Sequence, residues 1–287
     1  MMGYLDAAFR CCDSLTVNSE YLYHLHLREL FIQFNGDPTP FALRRLDLRH
    51  CASLGVIDLD LLLPKLPSLE SLHLPCSLKD KDVHAIVTNC PNLQSLHVPI
   101  YECDVTPLCS LPLTSVSMRS GGSNPILLSK LVNADILRQC TLSAEFSRLS
   151  MYRFLRQSGG QLLSLRWHPL LATEEDLTDI ARHCTRLQKL KIVTPSRESL
   201  DDRWQHLLNR MMQLSTLKIF FFPFSDRSIA ALKTYYLRNN RLQRLVVRSF
   251  GNQLFCIEQL RQIHSFLPPE KVLVRGGGWH LRYVRDD

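Results

Sequence analysis

The chain has 287 residues, 45% of them apolar and 21% charged, with 34 Lys and Arg against 27 Asp and Glu for a net charge of +7. Such a composition supports a substantial buried core and excludes a disordered or collagen-like chain. The charge is mildly basic with no long block of one sign, so a nucleic-acid tail is not indicated and an acidic partner is the easier match. No stretch of about 18 apolar residues reads as a membrane-spanning helix. The first segment, "MMGYLDAAFRCCDSL", carries Asp6 and Arg10 where a signal peptide would be apolar.

Taken in chain order, one spacing recurs: apolar-x-x-apolar-x-apolar. It starts at Leu27, Leu43, Leu69, Leu93, Leu113, Leu162, Leu187, Leu214 and Leu242, with weaker forms at Leu137 and Pro269, in steps of 16 to 28 residues. The x-apolar-x-apolar half predicts a short strand whose alternate side chains face a core. Helical patterns fill the intervals. "KDVHAIVTNC" buries Val83, Ile86 and Cys90, and "MYRFLRQS" is closed by Gly159 and Gly160. "TEEDLTDIARHC" opens with Thr173 and Asp176 in a capping arrangement. "SLDDRWQHLLNRM" starts at Ser199 and buries Trp204, Leu207, Leu208 and Met211; "SDRSIAALKTYYL" and "IEQLRQIHSFL" follow the same plan.

No single unit can bury its apolar face, so neighbours must stack. The expected fold is an α/β leucine-rich repeat solenoid, a horseshoe of about 11 irregular repeats over residues 27–275, with parallel strands on the concave face and helices on the convex face. Residues 1–26 are read as an N-terminal cap or an F-box remnant, and 276–287 as a basic tail released by Gly276 to Gly278.

"KDKDVHAIVTNCPNLQSLHV" and "EEDLTDIARHCTRLQKLKIV" resemble the cysteine-containing class of leucine-rich repeats, in which a helix ends in Cys before Leu-x-x-Leu-x-apolar; "LRRLDLRHC" matches with Cys51. This class is best known from F-box proteins that choose substrates for SCF-type cullin-RING ubiquitin ligases. The resemblance implies a non-enzymatic protein-recognition module, a substrate-recognition component that would reach the ligase adaptor subunit through an F-box upstream. The alternative is a stand-alone scaffold or inhibitor without a ubiquitin connection. An F-box opens with Leu-Pro and ends near a Trp, whereas the first proline here is Pro38 and the first tryptophan Trp167. Only Ala7 to Leu15 resembles its last helix.

Catalytic signatures are missing from the sequence: it holds no GxSxG, GxxxxGK[ST] or HExxH. "RGGGWH", Arg275 to His280, lacks a following helix and reads as a loop. The ten cysteines form no CxxC pair, so they are expected to be reduced packing thiols in a cytoplasmic or nuclear protein, without metal or cofactor. Cys90 and His97 look like a nucleophile and base, but the spacing turns Cys90 toward the core and His97 outward.

Counting the leading Leu as position one, the third and fifth positions face outward. The third row carries Arg45, Lys189 and Arg244; the fifth carries His73, His97, Arg166, Lys191 and Lys218 and ends in Val246. Arg248 joins them at a seventh position, as does Phe220, followed by Phe221. One reading is that exposed strands simply tolerate Lys and Arg. The other is a surface focused on an acidic or phosphorylated protein segment, with Phe220 as an apolar anchor. Nucleic acid is disfavoured because aromatic residues do not interleave with the cations.

Overall fold

The computed structural model describes residues 2–17, 39–51, 59–100, 103–120, 136–144, 148–169, 173–193, 201–220, 225–248 and 257–275. The chain divides into two units, residues 1–137 and 138–287. The first contains α1 (Met2–Cys11), β1 (Ser14–Thr16), β2 (Arg45–Asp47), α2 (Leu59–Leu62), β3 (Ser71–His73), α3 (Asp80–Asn89), β4 (Ser95–Ile100) and β5 (Ser115–Ser120). Its strands pair in chain order, each parallel to the next.

The second unit runs β6 (Gln139–Ala144), α4 (Arg148–Ser158), β7 (Ser164–Pro169), α5 (Glu174–His183), β8 (Lys189–Val193) and α6 (Asp201–Arg210). It continues with β9 (Thr216–Phe220), α7 (Asp226–Asn239), β10 (Arg244–Arg248), α8 (Ile257–His264) and β11 (Val272–Arg275). Here too every strand is parallel to its successor. Parallel neighbours need a crossover, and the helices supply it; α4 packs on α5, α5 on α6 and α6 on α7. Both units are therefore α/β with parallel strands.

The strands other than β11 start at the third position of the apolar motif, and the fourth and sixth positions are core. Leu165, Leu190, Ile192, Leu217 and Ile219 are at most 1% exposed, whereas the residues between them reach solvent. A backbone contact repeats with the motif. The carbonyl of the residue before β2, β3, β7 and β9 accepts two N–H groups from the next repeat: Glu70 and Ser71 donate to Arg44, Gln94 and Ser95 to Glu70, Gln188 and Lys189 to Leu163, and Gln243 and Arg244 to Ser215, all at 2.8–3.1 Å. This pairing locks register, because a slip of one residue would turn the core row outward.

The same contact appears one step earlier than the sequence spacing indicated. Arg44 and Arg45 donate to the carbonyl of Asp13 at 2.8 and 3.0 Å, and β1 pairs directly with β2. The ladder thus includes "CDSLTV", whose leading position is Cys12 rather than a leucine. β1 and β2 are direct neighbours in the sheet, and the motif starting at Leu27 lies outside the described residues. A second difference is Val246, expected on the open face but only 3% exposed. Its register partner is Leu273, itself 8% exposed, so the outward row ends in an apolar pair rather than in polar side chains.

Helix boundaries follow local chemistry. Thr173 N–H donates to Asp176 Oδ2 at 2.9 Å and Asp176 N–H to Thr173 Oγ1 at 3.3 Å, the expected reciprocal cap. Ser225 Oγ accepts from the N–H groups of Arg227 and Ser228 at the start of α7. The start at Ser199 lies outside the described residues, but Trp204, Leu207, Leu208 and Met211 are buried as expected. At the other end, Cys90 and Cys184 each direct a carbonyl to the N–H of the leading Leu, 3.1 and 3.2 Å away, and Met211 and Gly159 fill the same place in their repeats. A Cβ on Gly159 would stand 3.0 Å from the His183 carbonyl oxygen, so glycine permits this close approach between successive repeats.

Candidate functional site

In the second unit, β7, β8, β9 and β10 bring two rows of the open face together. Ser164, Lys189, Thr216 and Arg244 stand side by side in register; Arg166, Lys191 and Lys218 form the next row. These residues line a depression of about 190 Å3 floored by Leu165 and Leu190. Strand spacing of roughly 4.8 Å confines the second row of cations to about 10 Å. Among the described residues, no carboxylate lies within ion-pair distance of Arg166, Lys189, Lys191 or Arg244.

The crowding has an electrostatic signature. Burial, then the charges of Arg166 and Lys218, pull the Lys191 ammonium below the usual lysine range. Phe220 closes β9 on the same face as Thr216 and Lys218, and the Lys191 Nζ lies 4.9 Å from its ring centroid. That cation–π contact makes Phe220 part of the site through Lys191. Phe221 lies outside the described residues. Arg248 ends β10 in register with Phe220, and the orientation of its side chain lies outside what is described. Ser164 and Thr216 were not singled out by sequence, because small hydroxyls recur along the whole third row; only their convergence with cations marks them.

The first unit carries a different face. Arg45 is exposed beside Ser71, while Asp47, His73 and His97 align in the fifth row. The two imidazoles are 5.5 Å apart between centroids. Ser71 Oγ is 3.4 Å from His73 Nε2, and His73 Nδ1 is 3.3 Å from Asp47 Oδ2 but off the line of a hydrogen bond. The order Ser–His–Asp invites a nucleophile reading. Asp47, however, is committed to Arg49, whose Nη2, Nε and backbone N–H donate to it at 2.6–3.1 Å. Burial alone would raise the Asp47 carboxyl; bonds from Arg49, with help from His73, override it and hold the group well below the usual carboxylate range. A carboxylate so satisfied is a poor orienter for the imidazole, and a 3.4 Å contact between two residues of one strand is a neighbour contact.

Cys51, Cys90, Cys103, Cys140 and Cys184 are buried in the core, Cys76 and Cys109 are half-buried, and Cys11 and Cys12 are exposed, which corrects the expectation of packing thiols for those two. Cys90 is fully buried, donates weakly to the Leu66 carbonyl 3.9 Å away and is pushed up to about 12 by burial. Cys184 is likewise raised to about 12, far from any thiolate at neutral pH. Among the described residues, no three His, Cys, Asp or Glu side chains are grouped to hold a metal ion, and no helix is long and apolar enough to cross a membrane.

No protein-family model matches the chain, and no curated protein matches it.

Proposed function

We propose that this chain is a non-enzymatic protein-recognition module, built as a leucine-rich repeat solenoid, whose basic open face in the second unit binds an acidic segment of a protein partner. The observation that carries the reading is the convergence of Arg166, Lys189, Lys191, Lys218 and Arg244 on one depression. Like charges brought together cost folding energy, and among the described residues Arg166, Lys189, Lys191 and Arg244 have no carboxylate within ion-pair distance; a field focused on such a patch steers an anionic partner. The sequence resemblance extends the proposal: the chain would choose substrates for an SCF-type cullin-RING ubiquitin ligase. Transfer chemistry would then sit on other subunits, and this chain would supply proximity.

One observation favours the alternative of a scaffold or inhibitor without a ubiquitin connection. The N-terminal helix α1 runs straight into the strand ladder through β1, with Phe9 fully buried and its ring 6.1 Å from that of Phe41. A helix anchored in this way has one face committed to the repeats and, among the described side chains, leaves only the side of Ala7, Arg10 and Cys11 open for adaptor docking. Affinity capture with the purified adaptor subunit separates the two: retention supports the ligase reading, and failure of the full natural chain to bind it favours the scaffold. The recognition claim itself is tested by reversing charge at Lys189, Lys191 and Lys218 together. Partner binding is then lost with the thermal unfolding midpoint preserved; unchanged binding contradicts it.

A further inference from the structure

The size and charge of the depression narrow what it can take. Small-molecule sites usually enclose upward of roughly 300 Å3, whereas this one offers about 190 Å3. At roughly 30 Å3 per water, that is room for about six waters or one polar side chain. The floor of Leu165 and Leu190 is fixed by the core, and the walls are strand residues in register, so the donors are held on rigid elements.

Charge then discriminates between anions. Arg166, Lys191 and Lys218 stand in one row, Lys189 and Arg244 in the next. A single carboxylate brings one negative charge and two acceptor oxygens; a phosphoryl monoester brings about −1.5 to −2 and three oxygens near neutral pH. Arg166 and Lys191, with Lys189 and Arg244 in the next row, have no carboxylate within ion-pair distance among the described residues, and such a group is better neutralised by the second. Ser164 and Thr216 add hydroxyl donors on the same wall, and a guanidinium such as Arg166 can grip two phosphoryl oxygens at once. Lys191, held against the Phe220 ring, has less side-chain freedom to lose on binding than an unrestrained lysine. Burial first, and then the charges of Arg166 and Lys218, lower its affinity for its own proton, and a dianion would relieve the part due to charge.

We propose that the depression formed by Ser164, Arg166, Lys191, Thr216 and Lys218 is a phosphoryl-binding site that takes a phosphorylated serine or threonine side chain of the protein partner. This rests on the recognition reading above and adds to it the covalent state of the ligand.

The test uses three immobilised degenerate peptide libraries, identical except for a central phosphoserine, serine or glutamate, titrated with the full chain at about 0.15 M salt. The phosphoserine library is expected to bind at least about tenfold more tightly than the other two, a difference of about 1.4 kcal/mol. Inorganic phosphate should compete for that excess alone. Arg166→Gln, and separately Lys191→Met, should each remove most of the preference while leaving the unfolding midpoint near wild type; Arg166→Lys should retain part of it. Equal binding of the glutamate and phosphoserine libraries would overturn the phosphoryl assignment and leave acidic-segment recognition standing. A phosphoserine preference untouched by both substitutions would place the site elsewhere, and no binding to any library would refute it too. Displacement of the peptide by single-stranded oligonucleotide at lower concentration than by phosphopeptide would overturn the protein-partner assignment.

Discussion

Tyr235→Phe is a one-atom perturbation whose cost can be worked out from the second unit. The ring lies on α7 and is 2% exposed, with its hydroxyl oxygen 3.0 Å from the Met211 carbonyl oxygen and 2.9 Å from that of Leu214. Its single proton is shared between the two carbonyls that turn the preceding repeat from helix into strand. Met211 keeps a second bond, from the Leu214 N–H at 3.1 Å, so the loss falls mainly on the Leu214 carbonyl. Leaving one buried acceptor short, with no change in packed volume, should cost about 1–2 kcal/mol. Urea unfolding reads this as a midpoint lowered by roughly 0.5 M at unchanged slope, for a slope of about 2–3 kcal/mol per M. A second signature is pH-dependent. Burial first of all pushes the Tyr235 phenol up to about 12, above the ~10 of an unfolded chain. A group raised on folding stabilises fully below its unfolded value and loses that contribution as pH rises through the folded one. The wild type should therefore lose stability between about pH 10 and 12 more steeply than the variant. A midpoint shift under about 0.1 M, or parallel alkaline limbs, would refute the reasoning.

Other substitutions test other joints. Asn240 caps α7 with φ 45°; Asn240→Ala should cost about 1 kcal/mol while Asn240→Gly is near neutral, measured by thermal unfolding. Gly159→Ala would set a Cβ 3.0 Å from the His183 carbonyl oxygen and 3.1 Å from Cys184 Sγ, and a loss of about 1–3 kcal/mol in the same assay is expected. Asp47 has its carboxyl lowered on folding by Arg49 and His73 against the cost of burial, so its contribution is present above the unfolded value of ~3.9 and fades as pH falls below it. Asp47→Asn should flatten stability against pH below about 4, by no more than about 1 kcal/mol because the pair meets solvent.

Most of the scaffold was legible because its physics is periodic. A core face that alternates along a strand, and helices that end in Cys90 or Cys184, leave marks at fixed spacing in the sequence. The strand at Ser14 escaped because its unit leads with Cys12, a residue whose side chain says little about position; the carbonyl of Asp13, which exposes the unit, is backbone and leaves no sequence mark. Val246 was misplaced for another reason. Alternation fixes which face a residue points to, not whether that face stays open, and its register partner Leu273 makes this end apolar. The candidate site was legible only as a list of cations. That Arg166, Lys191 and Lys218 share one row follows from register across repeats, whereas the contact between Lys191 and Phe220 depends on where β9 ends. The pairing of Asp47 with Arg49 could have been suspected from their spacing of two along an exposed turn, and it removes the one acidic residue of the outward rows from general availability.

Docking on the basic open face of the second unit, as proposed, is read by photo-crosslinking: a benzophenone amino acid placed at Arg166, Lys189 or Arg244, and in parallel at the exposed helix positions Arg182, Gln205 and Lys233, is irradiated with the captured partner. Adducts from the three strand positions and none from the helices are expected. Adducts confined to the helix positions would contradict it.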